Sequence, residues 1–216
     1  MILDFLFPNR CLHCNRIIPG KEIVCEICME QIHFTHLEFT SDSLLKERCL
    51  LLFPVENASA LMLFEKESLS RKIIHQLKYG NREIIGKILA EWTFEKLDFG
   101  NSVPDLMVTI PLHKKKLRKR GYNQLHLFTE TLSEKSGIAF DHDVLKRNFH
   151  SKAQAKKKKE DRQNTENLFS LQKPIENSHI LLIDDVFTTG NTMASAVWEI
   201  LKGKNNTVSI LVMAMD

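Results

Sequence analysis

The sequence predicts an α/β protein: a mostly parallel sheet flanked by helices, with a small four-cysteine module at its N-terminus. Three observations predict it. From residue 58 onward, short apolar strands alternate with amphipathic helical patterns, the arrangement that builds parallel sheets. Residues 180–192 read Ile-Leu-Leu-Ile-Asp-Asp-Val-Phe-Thr-Thr-Gly-Asn-Thr, a buried strand running into two carboxylates and a hydroxyl-rich turn. Cys11, Cys14, Cys25 and Cys28 form two C-x-x-C pairs with ten residues between them. At 216 residues and 43% hydrophobic content, the chain suits one α/β domain plus an appendage. The expected division is a metal module and linker over 1–45 and the α/β domain over 46–216.

The elements follow in order. Pro19-Gly20 predicts a hairpin turn between the cysteine pairs. Leu37 to Glu47 is polar and mixed and reads as a linker. Leu61, Leu63 and Phe64 start an element, and Ile73, Ile74 and Leu77 mark one helix face that stops at Gly80. Ile84, Ile85, Ile88, Leu89 and Trp92 give the next amphipathic helix. Leu106–Ile110 is a strand stopped by Pro111, and a helix over 122–135 buries Leu125, Phe128 and Leu132 before Gly137. Short strands are expected at Val144-Leu145 and Leu168-Phe169. A strand over 179–183, a helix over 192–201 and a strand over 207–213 complete the chain.

The cysteine spacing lets two thiolates from each tight turn face one ion, and two such knuckles complete a tetrahedral shell. Four thiolates with no open position describe structural Zn²⁺. Two disulfides or redox pairs are the alternative. His13 is expected to point away from the ion, and Cys49 to lie in the core. The opening Met-Ile-Leu-Asp-Phe-Leu-Phe is too short for a signal peptide, and no run reaches the ~18 apolar residues of a membrane helix. A soluble, cytoplasmic protein with reduced thiols is expected, which favours metal over disulfides.

The strand–turn–helix after Ile183 is suited to a phosphate, because the turn amides and the first helical turn offer unpaired N–H groups. Asp184 and Asp185 can accept from two ribose hydroxyls. Together they suit a sugar bearing a 5′-phosphate. No G-x-x-x-x-G-K-[ST] occurs anywhere, so a P-loop nucleotide site is excluded. Two basic stretches follow. Lys114, Lys115, Lys116, Arg118, Lys119 and Arg120 are six cations in seven residues, read as a loop that neutralises a pyrophosphate or a nucleic-acid backbone. Arg120 is the candidate for a bidentate phosphate contact. Lys152 to Arg162 is either a solvated surface or a flap or phosphate track. Tyr122 and Phe149 are the nearest candidates for base stacking.

The segment from Ile180 to Thr192 resembles the 5-phosphoribosyl-1-pyrophosphate (PRPP) motif of type I phosphoribosyltransferases. The resemblance implies that Asp184 and Asp185 hold the ribose and are the catalytic candidates. It places Thr188, Thr189, Gly190, Asn191 and Thr192 around the 5′-phosphate, with Mg²⁺ accompanying PRPP. The whole pattern resembles the ComF family. It includes Leu6-Phe7-Pro8-x-Arg10-Cys11-x-x-Cys14, Ile74 through Gly80, and Ile110-Pro111-Leu112-His113. It continues with Arg118 through Gln124, Ser151-x-x-Gln154, and Arg162-x-Asn164 with Phe169. Ser151 stands where that family often has Thr, and Lys156–Lys159 replaces a more mixed stretch. The resemblance implies a phosphoribosyltransferase-like domain joined to a zinc finger. It also implies action on incoming single-stranded DNA in natural transformation, beside a ComFA-type helicase and DprA-type partners. An active Mg²⁺-dependent phosphoribosyltransferase is the second reading. A PRPP-responsive regulator ranks last, since no helix-turn-helix stands out.

Overall fold

The computed structural model of the chain describes residues 8–35, 37, 39, 43–148 and 168–216. The sheet is parallel throughout and is built from β1 (Ala58–Leu63), β2 (Leu106–Thr109), β3 (Ala139–Asp141), β6 (His179–Phe187) and β7 (Thr207–Met215). Its strand order is β1-β7-β6-β2-β3. Strands β6 and β7 lie in the middle, and Ile180–Ile183 and Ile210–Ala214 are fully buried. Strands covered on both faces need continuous apolar runs rather than alternation, which is what these two segments supply. A short antiparallel pair, β4 (Leu145–Arg147) and β5 (Phe169–Leu171), stands outside the sheet. Phe149 and the stretch from Ser151 to Asn164, with its four-lysine run, fall outside the described residues.

The helices are α1 (Glu26–Met29), α2 (Leu44–Leu50), α3 (Leu69–Tyr79), α4 (Ile84–Lys96), α5 (Lys114–Arg120), α6 (His126–Ser136) and α7 (Asn191–Ile200). Ser68 caps α3 by accepting from the Arg71 N–H. Helix α6 ends at Gly137, whose φ of 74° is left-handed; a glycine there spares the steric cost of a Cβ. Helix α4 packs on α6, and α2 on β1.

The strand following β2 lies to one side of it, whereas the strand following β6 lies to the opposite side. The carboxyl ends of β2 and β6 therefore flank a topological switch point, where open α/β sheets take up ligands.

Several expectations are corrected. Residues 114–120 form a helix, not a loop: Lys and Arg are good helix formers, the His113 side chain accepts from the Lys115 N–H, and Gly121 closes the helix at φ 81°. Strand β6 does not stop at Ile183 but runs through both aspartates to Phe187, because β7 continues pairing, Asp184 with Val212 and Phe187 with Met215. Helix α7 opens at Asn191, one residue early, and α6 opens at His126, four residues late. Strand β3 was not expected: its apolar run Ile138-Ala139-Phe140 is short, and at the sheet edge Ala139 and Phe140 are exposed. Nor is 37–47 only a tether: Leu37 and Phe39 are buried, the Phe39 N–H donates to the Asp98 carbonyl (2.9 Å), and Leu44–Leu50 is helical.

Candidate functional site

The cysteine cluster is assembled by local chain turns. The Cys11 N–H donates to the Arg16 carbonyl, and the Asn15 N–H returns to the Cys11 carbonyl, closing the first knuckle with Asn15 left-handed at φ 62°. Cys25 precedes α1, and Cys28 lies within it. The four sulfurs all lie within 4.8 Å of one another, with Cys14 Sγ 3.7 Å from Cys25 Sγ. A tetrahedral ion with Zn–S bonds of about 2.3 Å has sulfur–sulfur edges of about 3.8 Å, so the donor set and spacing fit zinc. No disulfide joins them, and Cys49 is buried as expected. His13 is not a fifth donor; its Nδ1 lies 3.1 Å from Lys72 Nζ on α3, tying the module to the main domain.

Successive strand residues face opposite sides of a sheet, so Asp184 and Asp185 look in different directions from the end of β6. Asp185 is engaged. Lys78, from the last turn of α3, reaches its Oδ1 at 2.7 Å, and Gln124 Nε2 donates to Oδ2. Gln124 Oε1 accepts from Arg120 Nη1 at 2.7 Å, and Arg120 Nη2 reaches the Tyr79 hydroxyl at 3.4 Å. The Arg120 guanidinium lies 5.0 Å and the Lys119 ammonium 5.6 Å from the Tyr79 ring centroid. Arg120 Nε is buried and without a hydrogen-bond partner among the described residues, a donor an anionic ligand could satisfy.

Asp184 is different. Among the described residues its Oδ1 accepts only a local bond, from the Asp185 N–H at 2.8 Å. Burial and the neighbouring Asp185 charge push its carboxyl up to about 7, against the pull of Lys78 and Arg147. Arg147 ends β4, with its guanidinium 5.3 Å over the Phe169 ring. Perturbed carboxylates in clefts are candidates for function.

The turn beyond β6 is held from below. Arg48 of α2 donates to the Thr188 carbonyl at 2.6 Å and lies 5.2 Å over the Phe187 ring. Thr188 and Thr189 are exposed, and Gly190 is buried at φ 74°. Asn191 and Thr192 open α7. A Cβ on Gly190 would lie 2.4 Å from Leu52 Cδ1 and 2.8 Å from Phe187 Cζ. Gly190→Ala is therefore expected to destabilise the protein by about 1–3 kcal/mol, through left-handed strain and the clash together. Thermal unfolding of the variant checks this, and an unchanged midpoint would refute the close packing of the turn.

The six cations of α5 do not all face one place. Lys119 and Arg120 line a cavity of about 490 Å³ with His75, Lys78, Tyr79 and Asn81. Lys114 and Leu117 line a separate groove of about 540 Å³ with Pro111, His126, His142, Arg147 and others. Lys115, Lys116 and Arg118 line neither of these two. Tyr122 is not displayed for stacking; it is half-buried and its hydroxyl donates to the Leu77 carbonyl. Tyr79, at 53% exposed, is the tyrosine that is displayed. Sequence reading of the site missed Lys78, Gln124, Arg147 and Arg48. Lys78 and Gln124 sit inside the matched segments Ile74–Gly80 and Arg118–Gln124, the one signal that could have marked them.

Comparisons bear on these features. A family model described as a double zinc ribbon domain matches residues 2–39. The chain is 30% identical over 149 residues to the DNA utilization protein YhgH of Salmonella typhimurium, covering 64% of this chain; it spans 63% of that relative's length. It is 27% identical over 201 residues to YhgH of Escherichia coli K12, covering 89% and 84%. It is 37% identical over 152 residues to the competence protein ComFC of Bacillus subtilis, covering 67% and 57%. Among solved structures, adenine phosphoribosyltransferase of Leishmania tarentolae aligns at a TM-score of 0.40 and 12% identity, over 72% of this chain and 91% of that one.

Proposed function

This chain belongs to the ComF family of competence and DNA-utilization proteins, and from that premise we propose that it binds PRPP at the end of β6 and single-stranded DNA on its basic face. The observation that carries the reading is the acid pair at the switch point, continuous with the Thr188–Thr192 turn on one side and with Lys78, Gln124 and Arg120 on the other. A ribose would be held by Asp184 and Asp185, and its 5′-phosphate by the turn amides and the first N–H groups of α7. Arg120, with its unsatisfied Nε, would meet the pyrophosphate. Mg²⁺ arriving with PRPP would neutralise phosphate charge. Residues 1–45 serve as the zinc module and linker in this proposal, and 46–216 as the ligand-binding domain. The setting is the cytoplasm, with ComFA-type helicase and DprA-type partners. Among the described residues no helix is long and apolar enough to cross a membrane.

The groove lined by Arg147 favours a second reading, phosphoribosyl transfer. The charge of Arg147 acts on Asp184, and the groove it lines is roomy enough for a flat acceptor. In that reaction an acceptor nitrogen bonds to the ribose carbon as pyrophosphate leaves. Positioning by the acid pair and the cationic surround would supply the catalysis.

Titration calorimetry of the zinc-loaded protein with PRPP and Mg²⁺, with and without a short oligonucleotide, tests the proposal. Saturable binding that shifts with DNA is expected; no heat in either condition would overturn the PRPP reading. If α5 and Lys78 grip DNA through phosphates, the logarithm of affinity should fall with that of salt by about 0.7 per phosphate neutralised. A flat dependence on ionic strength would overturn the electrostatic grip.

A further inference from the structure

Away from the cysteines and the acid pair, α6 and the turn after β3 bring together His126, Glu130 and His142. Their donor atoms all lie within 4.8 Å of one another. His126 and Glu130 are four residues apart on α6, so they share one helix face. The ring of His142 stacks on that of His126, with centroids 3.9 Å apart and planes 9° from parallel. His142 Nε2 is 3.3 Å from Glu130 Oε1. Its Nδ1 is 3.2 Å from Oγ1 of the fully buried Thr109 on β2.

One feature makes this more than a surface cluster. His142 can take either tautomer between its two partners; in the one a metal ion requires, Nε2 turns its lone pair toward Glu130 and Nδ1–H donates to the Thr109 hydroxyl. That is the outer hydrogen bond by which metal-bound imidazoles are oriented. A lone pair facing a carboxylate oxygen is repulsive unless a proton or a cation lies between them.

We propose that His126, Glu130 and His142 form a second metal site, which takes a borderline divalent cation such as Zn²⁺. Two imidazoles and one carboxylate suit such an ion rather than Ca²⁺ or Mg²⁺, which take oxygen donors. Three protein donors leave a fourth position open, unlike the closed four-thiolate shell. Because His126 and His142 line the 540 Å³ groove with Lys114, Arg147 and Lys173, the open position faces a cationic cleft suited to an anionic oxygen donor. In the loaded site the two rings pivot out of their parallel stack, since both lone pairs must converge on one ion.

The experiment uses the full chain with its cysteine site filled. It is titrated with Zn²⁺ against a chromophoric chelator, and with Co²⁺ followed by absorption. A second equivalent is expected, giving cobalt d–d bands without thiolate charge transfer. His142→Gln should remove that equivalent. Glu130→Gln, at a side chain 47% exposed and hence safe for folding, should weaken it at least 10-fold, while the metal held by the four cysteines stays bound in both. One equivalent only in the unmodified protein, or a second that survives both substitutions, overturns the proposal and leaves a proton-bridged His–Glu pair.

Discussion

Stripping the zinc by chelation, or replacing Cys25 with Ser, is expected to melt residues 8–35 while β6 and β7 keep their full protection. The module has few other means of support. Cys11, Ile18, Ile23, Val24, Cys28 and Ile32 are its buried apolar side chains, too few to offset the ordering of nearly thirty residues. Zinc ligation contributes an apparent ~10–16 kcal/mol in small zinc peptides, which makes this the largest single effect in the molecule. Hydrogen exchange checks it. The amides of Leu12 and Ile18, which donate to the Ile23 and Asn9 carbonyls, should exchange freely once the metal is gone. Simultaneous loss of protection in β6 would mean that the two parts fold as one unit, and unchanged protection at Leu12 would mean that the ion is dispensable.

Asp184→Asn with Asp185→Asn should lower PRPP affinity at least 100-fold without unfolding the chain. Two charge-assisted acceptors are removed, each worth about 1.5–3 kcal/mol. The single substitution Asp184→Asn carries a second, opposite effect. Burial and the Asp185 charge raise this carboxyl to about 7 in the folded protein, whereas in the unfolded chain it titrates near 3.9. A raised folded value means that its contribution to stability is fully present below about pH 4 and is lost as the pH rises through 7. Asparagine carries no such penalty. Asp184→Asn should therefore gain about 2–4 kcal/mol at pH 8 and far less at pH 4.5, a shift of several degrees in midpoint at the alkaline end. Thermal melts at the two pH values decide it: a variant less stable than the parent at pH 8 would show that Asp184 is a satisfied anion. Unchanged PRPP affinity in the double variant would remove the ribose assignment. A variant that folds better and binds worse is the usual mark of a group held in strain for function.

How much of this was legible in the sequence differs by kind of signal. The four cysteines and the acid pair announce themselves as short-range patterns; the structure gathers the four sulfurs as their spacing requires and carries the two aspartates on one strand, β6. The buried strands are legible because Ile180–Ile183 and Ile210–Met215 are uninterrupted apolar runs. Helix α5 was hidden because a helix with no buried residue has no periodicity to read; its His113 cap and Gly121 stop were the only cues. Lys78, Arg147 and Arg48 lie on three elements and Gln124 in the turn between α5 and α6, all far apart in sequence, and they meet around β6 only through tertiary packing. The extension of β6 past Ile183 is likewise a property of its partner, since β7 offers a ladder that two aspartates alone would not predict.

The outer edge of the sheet has a further consequence. One side of β1 pairs with β7. The other is covered by the tail of the cysteine module: Phe34 bridges to Met62, the Thr35 N–H donates to the Leu61 carbonyl, and the Leu63 N–H donates to the His33 carbonyl. Phe34 is held there edge-on to Trp92, with Lys96 above its ring. A chain shortened to begin near residue 46 would lose Ser43, the cap of α2, and would bare the backbone of Ala60-Leu61-Met62-Leu63. An uncovered apolar strand edge is a template for the same strand of another molecule. The module thus acts as a guard against self-association, and minimal fragments of this protein are expected to form oligomers through β1.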